Sequence, residues 1–511
     1  MKYLGKTAIA FSIVLGLSAC GNSETGQSSE AQAMGEEDTA EIVVAYYTST
    51  EVNMEDTQQV QDAINDITLQ KINTQVTLLP ISIGSWSQQI NLMISGGDQL
   101  DLVPTFFFGS GTFDSMRSSN QLMPLNDLLE EYGQDILKEI PSEYFETTTY
   151  DGDIFAVPAD KDQVSTIWYA MHTDVLEELG LIEKARQISS MQDIEEILES
   201  VKENTELTPL FGNGSSGGVL HFGSALVSGE FEDAVGINKL VNDYIVTLDT
   251  EPQKVVNLYE TDAYKDSVQL MHDWYEKGYI FQDATTTEEV NYDTVKNGKC
   301  FSFFYGAELS TKNAGLAGCG YDMTVVKVFD APITTATVNT NCWTIPVKSS
   351  EPEAAMRFLN LMYSDKELID LLNYGVKDVH YTVLDDGTYG PVSGSANASA
   401  SYPLNLTWLF GNQYMSGVWV GDDPDLREQS REINDNAKVS ELLGFAANAG
   451  GFDTQISGIT SACNEYVSGL VCGVSTPDEV LPEFNEKLKA AGIDEIVSEV
   501  QTQLDAWLAQ N

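Results

Sequence analysis

Cys20 is the residue whose chemistry the sequence specifies most fully. It ends the string Leu17-Ser18-Ala19-Cys20, an aliphatic residue, two small ones and a thiol, behind Lys2, Lys6 and an apolar run over residues 8–17. This is the pattern of a lipobox, in which the Cys20 sulfur receives a diacylglycerol and residues 1–19 are removed as a lipoprotein signal peptide. The run is too short for a membrane-spanning helix, which takes about 20 residues. A chain exported this way works at the extracellular face of the cell membrane, held there by lipid, and nucleotide-driven work is excluded.

Other reactive residue types are present without the spacing that catalysis requires. Gly214-Ser215-Ser216-Gly217-Gly218 satisfies GxSxG and is followed by His221, His272 and His380. A nucleophile elbow also needs a strand before the serine and a helix after it, and Gly/Ser strings match by chance. A glycosidase would need two carboxylates, and the 78 acidic residues single out no pair. Cys300, Cys319, Cys342, Cys463 and Cys472 form no CxxC and have no histidine spacing for zinc; Cys463 with Cys472 is the first pair to test for a disulfide. Asp151-Gly152-Asp153 and Asp385-Asp386-Gly387 read as turns rather than calcium loops. The four histidines, His172 included, read as structural, and neither a metal nor a cofactor is expected.

Charge narrows the partners. The chain carries 26 basic against 78 acidic residues, a net charge of −52, and loss of the leader strips Lys2 and Lys6 but no acid. Such a field repels phosphate backbones and anionic lipid surfaces, which disfavours nucleic acid and peripheral membrane binding and leaves neutral or cationic small solutes as partners.

The elements that would position a site follow a regular order. Residues 21–40 lack aromatic and β-branched aliphatic residues and are rich in Gly, Ser, Gln and Glu, so residues 20–40 read as a lipidated cysteine and a flexible tether reaching roughly 25 Å. Residues 41–47 (EIVVAYY) read as a buried parallel strand, residues 56–72 as a helix, 74–79 as a strand ended by Pro80, a helix through Ile90, Met93 and Ile94 stopped by Gly96-Gly97, and 100–108 as a third strand. This β-α-β-α-β order predicts an open parallel sheet with its ligand beyond the carboxyl ends of the strands, near Asp98, Asp101 and Phe106 to Phe108. Capping boxes at Ser350, Ser364 and Thr476 open helices, with Pro482 inside the third. Ile493, Ile496, Val497, Val500, Leu504, Trp507 and Leu508 form the apolar stripe of a last helix. About 470 ordered residues exceed one core, so two lobes are expected.

The lipobox and acidic tether, INLMISGGDQLDLVPT, YDGDIFAVPADKD with IWYAMHTDVLEELGL, and NCWTIPVKSSEPEAAMRFLNLMYSDKELIDLLNYG occur in that order. Together they resemble bacterial extracellular solute-binding proteins of family 1, and VLPEFNEKLKAAGIDEIVSEVQTQLDAW is similar to the C-terminal section of the large LplA-type lipoproteins. The resemblance implies an α/β, two-lobe periplasmic-binding-protein-like (type II) fold with a hinge and an added C-terminal helical section. Lobe one would hold residues 41–157 and 321–374, and lobe two residues 163–320 and 376–511, with crossings at 158–163, near Tyr321 and near Gly375. It also implies a monomer that captures a small solute in the interlobe cleft and delivers it to the membrane subunits of an ABC permease.

In that family the cleft is lined by loops at strand ends, which match Tyr47, Asp101, Phe106, Phe211, Asn213, Ser216, Tyr305, Trp408, Asn412 and Gln413 here. Aromatic faces with amide and carboxylate groups suit an oligosaccharide. A surface glycoside hydrolase and a lipoprotein that presents its ligand to a sensor are the alternatives.

Overall fold

The structure, a computed structural model, describes residues 38–510 apart from 50–51, 107–108, 213–230, 234–244, 249–250, 288, 314, 393–401, 403 and 449. The leader, Cys20, residues 21–37 of the tether, Asn213, Ser216 and the 214–218 string lie outside the described residues.

Strand β1 (Ala40–Thr48), helix α1 (Met54–Ile72), β2 (Thr74–Ser82) and α2 (Trp86–Gly96) follow the sequence pattern. The Asn53 side chain accepts the Glu55 N–H at the start of α1. Asn73, at φ 48°, closes that helix, which turns Val60 and Ile64 into the core. β2 runs parallel to β1 in register from Ala40 opposite Thr74 to Thr48 opposite Ser82. Pro80 does not end β2 but sits within it. Among the described strands β2 pairs with β1 alone, so a missing N–H on its outer edge costs no ladder bond.

The third strand is shorter than residues 100–108: Leu102 bridges Val44, and β3 (Val103–Pro104) follows. After β4 (Val157–Pro158) the chain leaves for a second, mixed sheet of β5 (Thr166–His172), β6 (Thr208–Leu210), β7 (Cys300–Ala307) and β8 (Met323–Asp330), ordered β8-β5-β7-β6. β7 is parallel to β6 and antiparallel to β5. β5 is buried at every residue, as its central place requires. Helices α3 (Met191–Asn204) and α4 (Asp262–Glu276) pack Ile194, Ile197, Leu198, Met271 and Trp274 against Tyr169 and Met171 of β5. β9 (Cys342–Thr344) then returns to the first sheet, antiparallel to both β3 and β4. Helices α5 (Pro352–Leu361) and α6 (Lys366–Tyr374) cover that sheet.

Two crossings differ from expectation. β8 belongs to the second sheet, pairing Met323 with His172 and Asp330 with Thr166, so the return falls not at Tyr321 but at residues 331–334, where Ile333 enters the first core. The chain also does not cross at Gly375. Tyr402, Leu406, Leu409 and Phe410, expected in the second lobe, are buried in the first core. The Trp343 indole N–H donates to the Leu409 carbonyl at 2.7 Å, and Phe410 stacks on Trp343 at 6.1 Å. The last crossing lies at residues 439–443: Val439 bridges Ile333, Leu443 joins the first core and Leu442 the C-terminal one.

The C-terminal section holds α7 (Leu426–Asp435), α8 (Asp453–Val471), α9 (Pro477–Ala491) and α10 (Ile493–Leu508). Phe484, Leu488, Ile496, Val500 and Leu504 of the last two pack with Ile459 of α8 and Ile167 of β5. The expected boxes at Ser350 and Thr476 form no side-chain cap bond; proline in the first turn opens α5 and α9 instead. Asp365, not Ser364, caps α6 by accepting the Glu367 and Leu368 N–H groups. Cys463 and Cys472 are buried and free. Nine residues of helix hold them about 13 Å apart, beyond disulfide reach.

The stretch between β4 and β5, residues 159–165, is the first crossing between the sheets, and it buries a carboxylate. Asp160 is 6% exposed, and desolvation pushes its carboxyl up to about 7 despite Arg431, with Glu139 and Asp435 adding to the rise. A raised acid stabilises the fold below its unfolded value, and that contribution is lost as pH climbs from about 4 to about 7. The stability of the native chain relative to an Asp160→Asn variant is therefore expected to fall across that window, measured by urea unfolding at each pH. A flat difference refutes it. Phe410→Ala is expected to cost about 3–5 kcal/mol and to lower the same unfolding step as Trp343→Ala, while Phe484→Ala lowers another.

Candidate functional site

The carboxyl end of β1 carries Tyr47, fully buried, with its ring edge-on to Trp86 at 5.1 Å and to Phe106 at 5.0 Å. Its phenol donates to Asn341 Oδ1 at 2.7 Å, and burial pushes that phenol well up from its usual range. Trp408 lies against Tyr47 at 5.9 Å, tilted by 36°, and is only half-buried. Tyr47, Phe106 and Trp408 are thus one aromatic cluster, of which Trp408 is the member with surface to offer.

The carboxyl ends of β6 and β7 supply a second cluster. Phe211 is buried 6.0 Å from Phe281, and its N–H donates to the Ser302 carbonyl. Tyr305 is buried beside Phe303 and donates to the Lys312 carbonyl at 3.0 Å. The Lys312 ammonium stands 5.1 Å from the Trp168 ring, whose indole N–H is held by the Ala307 carbonyl.

A polar braid at the first crossing joins the two clusters. Gln413, fully buried, accepts the Asp162 N–H at 2.8 Å through Oε1 and donates through Nε2 to Ser310 at 3.1 Å and Thr407 at 3.0 Å. The Ser310 N–H donates to Asp162 Oδ2 at 3.0 Å. Thr407 precedes Trp408 in the chain and Ser310 lies two residues before Lys312, so the braid ties the segments that carry both clusters to one seam.

Three sequence-selected polar residues have other work here. Asp101 is fully buried. One oxygen accepts the Val43 N–H at 2.9 Å and the other the Ser349 hydroxyl at 2.6 Å, so it fastens β1 to the start of α5 rather than facing a ligand. Asn412 accepts the Tyr414 N–H as the cap of a short turn, and Gln413 spends its whole amide on the braid. Trp86, Asn341, Ser310 and Lys312 were not selected from sequence. Trp86 was the most accessible to it, since it opens α2 one short turn, Ile83–Ser85, beyond the end of β2.

The site offers aromatic faces and hydrogen-bonding groups. The described histidines are engaged elsewhere: His272 with the Gly473 carbonyl, His380 with the Val376 N–H and Asp56, and His172 against Tyr321. Among the described residues no group of three or more His, Cys, Asp or Glu is placed to hold a metal, and no helix is long and apolar enough to cross a membrane.

Known proteins share this architecture. Residues 441–509 match a domain of unknown function (DUF3502). A carbohydrate ABC transporter substrate-binding protein of Streptococcus pneumoniae serotype 4 is 23% identical over 99% of this chain and 98% of its own length. The crystal structure of the N-glycan transport solute binding protein NgtS from Streptococcus pneumoniae superposes with a TM-score of 0.76 at 21% identity, covering 92% of this chain and 99% of that one. The S. pneumoniae ABC-transporter substrate binding protein FusA, in complex with kestose, gives 0.56 at 16% identity, covering 92% and 100%. Residues 30–368, most of the chain, match the sequence model of one family, and with the two sheets and their crossings described above this protein belongs to the bacterial extracellular solute-binding proteins.

Proposed function

We propose that this protein captures an oligosaccharide at the seam between its lobes and delivers it to an ABC importer, anchored outside the cell by a lipid on Cys20. The observation that carries the solute class is Trp408, an indole left half-buried against Tyr47 beside a seam rich in hydrogen-bonding groups. A pyranose presents apolar C–H faces to such a ring and hydroxyls to the polar rim. The relatives support the reading: NgtS has been crystallised with Man5GlcNAc and FusA with kestose. The strongly negative charge suits a neutral ligand. The anchor rests on the Leu17–Cys20 string, and the monomeric state on the family resemblance.

Thermal unfolding with Man5GlcNAc, kestose and free monosaccharides tests the solute class. A bound glycan at a hundredfold excess over its dissociation constant stabilises by about 2.7 kcal/mol. A rise in Tm with an oligosaccharide, and an unaltered glycan on recovery, is expected. No shift across the panel, or a cleaved glycan, refutes the reading. Trp408→Ala is expected to weaken binding about three- to tenfold in calorimetry with the fold intact. Cys20→Ser is expected to move the protein from the membrane fraction to the medium. Retention in the membrane would overturn the anchor.

A further inference from the structure

Helix α7 grips the first crossing from outside both sheets. The Arg431 guanidinium lies 3.0 Å from Asp160 Oδ2 and 3.8 Å from Glu139 Oε2, with its Cζ 4.3 Å above the centre of the Tyr414 ring. One turn on, Asn434 accepts the Gln163 N–H at 2.8 Å and donates to the Tyr144 hydroxyl at 3.4 Å. From the other side the Gln413 N–H donates to the Asp160 carbonyl at 2.8 Å, and the Asp160 N–H to the Gly411 carbonyl at 3.0 Å. The crossing therefore has its Asp160, Asp162 and Gln163 amides all fastened to residues 411–434, whose Gln413 also holds Ser310 beyond the end of β7.

A hinge absorbs changes of φ and ψ in a few residues. Here such a change has to break bonds to α7 and leave the Asp160 carboxylate buried without its cation, which is costly. The aromatic partners of Asn434 and Arg431 are Tyr144 and Tyr414, which flank the crossing.

We propose that Arg431 and Asn434 are positioning residues that set the angle between the lobes and, through it, the affinity for solute, without touching the solute. The affinity part rests on the solute-capture reading; the angle part does not. A population of lobe angles that includes fewer binding-competent forms lowers the apparent affinity in proportion.

The test places spin labels at Gln70→Cys on α1 and Glu203→Cys on α3, both exposed, and measures their distance distribution at pH 8, where Asp160 is ionised. Without solute, Arg431→Met and Asn434→Ala are each expected to shift or broaden the distribution, and adding Asp160→Asn to Arg431→Met moves it part of the way back, because the buried carboxylate left without its cation is removed. Arg431→Lys restores part of the native distribution. Calorimetry with Man5GlcNAc is expected to show an affinity about five- to tenfold weaker in the first two variants. Distributions superimposable on the native one overturn the proposal, as does a changed angle with unchanged affinity. Should the native protein bind no Man5GlcNAc, the capture reading and the affinity part fail together, while the label distances still decide the angle. If Arg431→Met does not fold, Asn434→Ala carries the test.

Discussion

Four consecutive polar residues, Asp160, Lys161, Asp162 and Gln163, are buried where the chain leaves the first core, so their peptide groups must find partners within the protein. A buried N–H or carbonyl without a partner costs several times what a satisfied one contributes, so this short stretch dictates where other segments must lie. Gln413 answers Asp160 and Asp162, Asn434 answers Gln163, and Gly411 answers Asp160 again. Because these partners sit more than two hundred residues away in sequence, satisfying one crossing pins the C-terminal section over the junction of the two sheets.

That placement explains why the aromatic residues at the strand ends divide as they do. Tyr47, Phe106, Phe211 and Tyr305 complete cores at the carboxyl ends of β1, β3, β6 and β7, and their rings are consumed by packing. Trp408 sits in the same segment as Leu406, Leu409 and Phe410, which fill the first core, while its own ring lies against Tyr47 at the end of β1 and keeps part of its face. The seam thus sets one partly open indole beside amide and hydroxyl groups that are held at fixed angles by their own intramolecular bonds.

The local parts of the fold were legible because local physics decides them. A continuous apolar run gave β1, helical periodicity gave α1 and α10, and glycines marked the end of α2. What depends on distant partners was not legible. Pro80 reads as a stop unless one knows that β2 is an edge, and Met323–Asp330 reads as a return to the first lobe unless its pairing with β5 is seen. The residue types of the site were also readable, but not which of their atoms remained free. Asp101 and Gln413 are chemically suited to hydroxyl groups, and both are committed to backbone amides and neighbouring hydroxyls of their own chain.

The first core joins residues far apart in the chain, with Val44 in the same cluster as Phe410 and Leu443. Contacts of such long sequence separation form late, since the loop between them must close before any is gained. A polypeptide emerging from its amino end through an export channel must therefore wait, with β1, α1 and β2 already outside, until nearly nine-tenths of its length has followed. During that interval the apolar faces of its first lobe are unsealed. Its secretion is thus a race between completion and aggregation, and the abundance of carboxylates that repel one chain from the next favours completion.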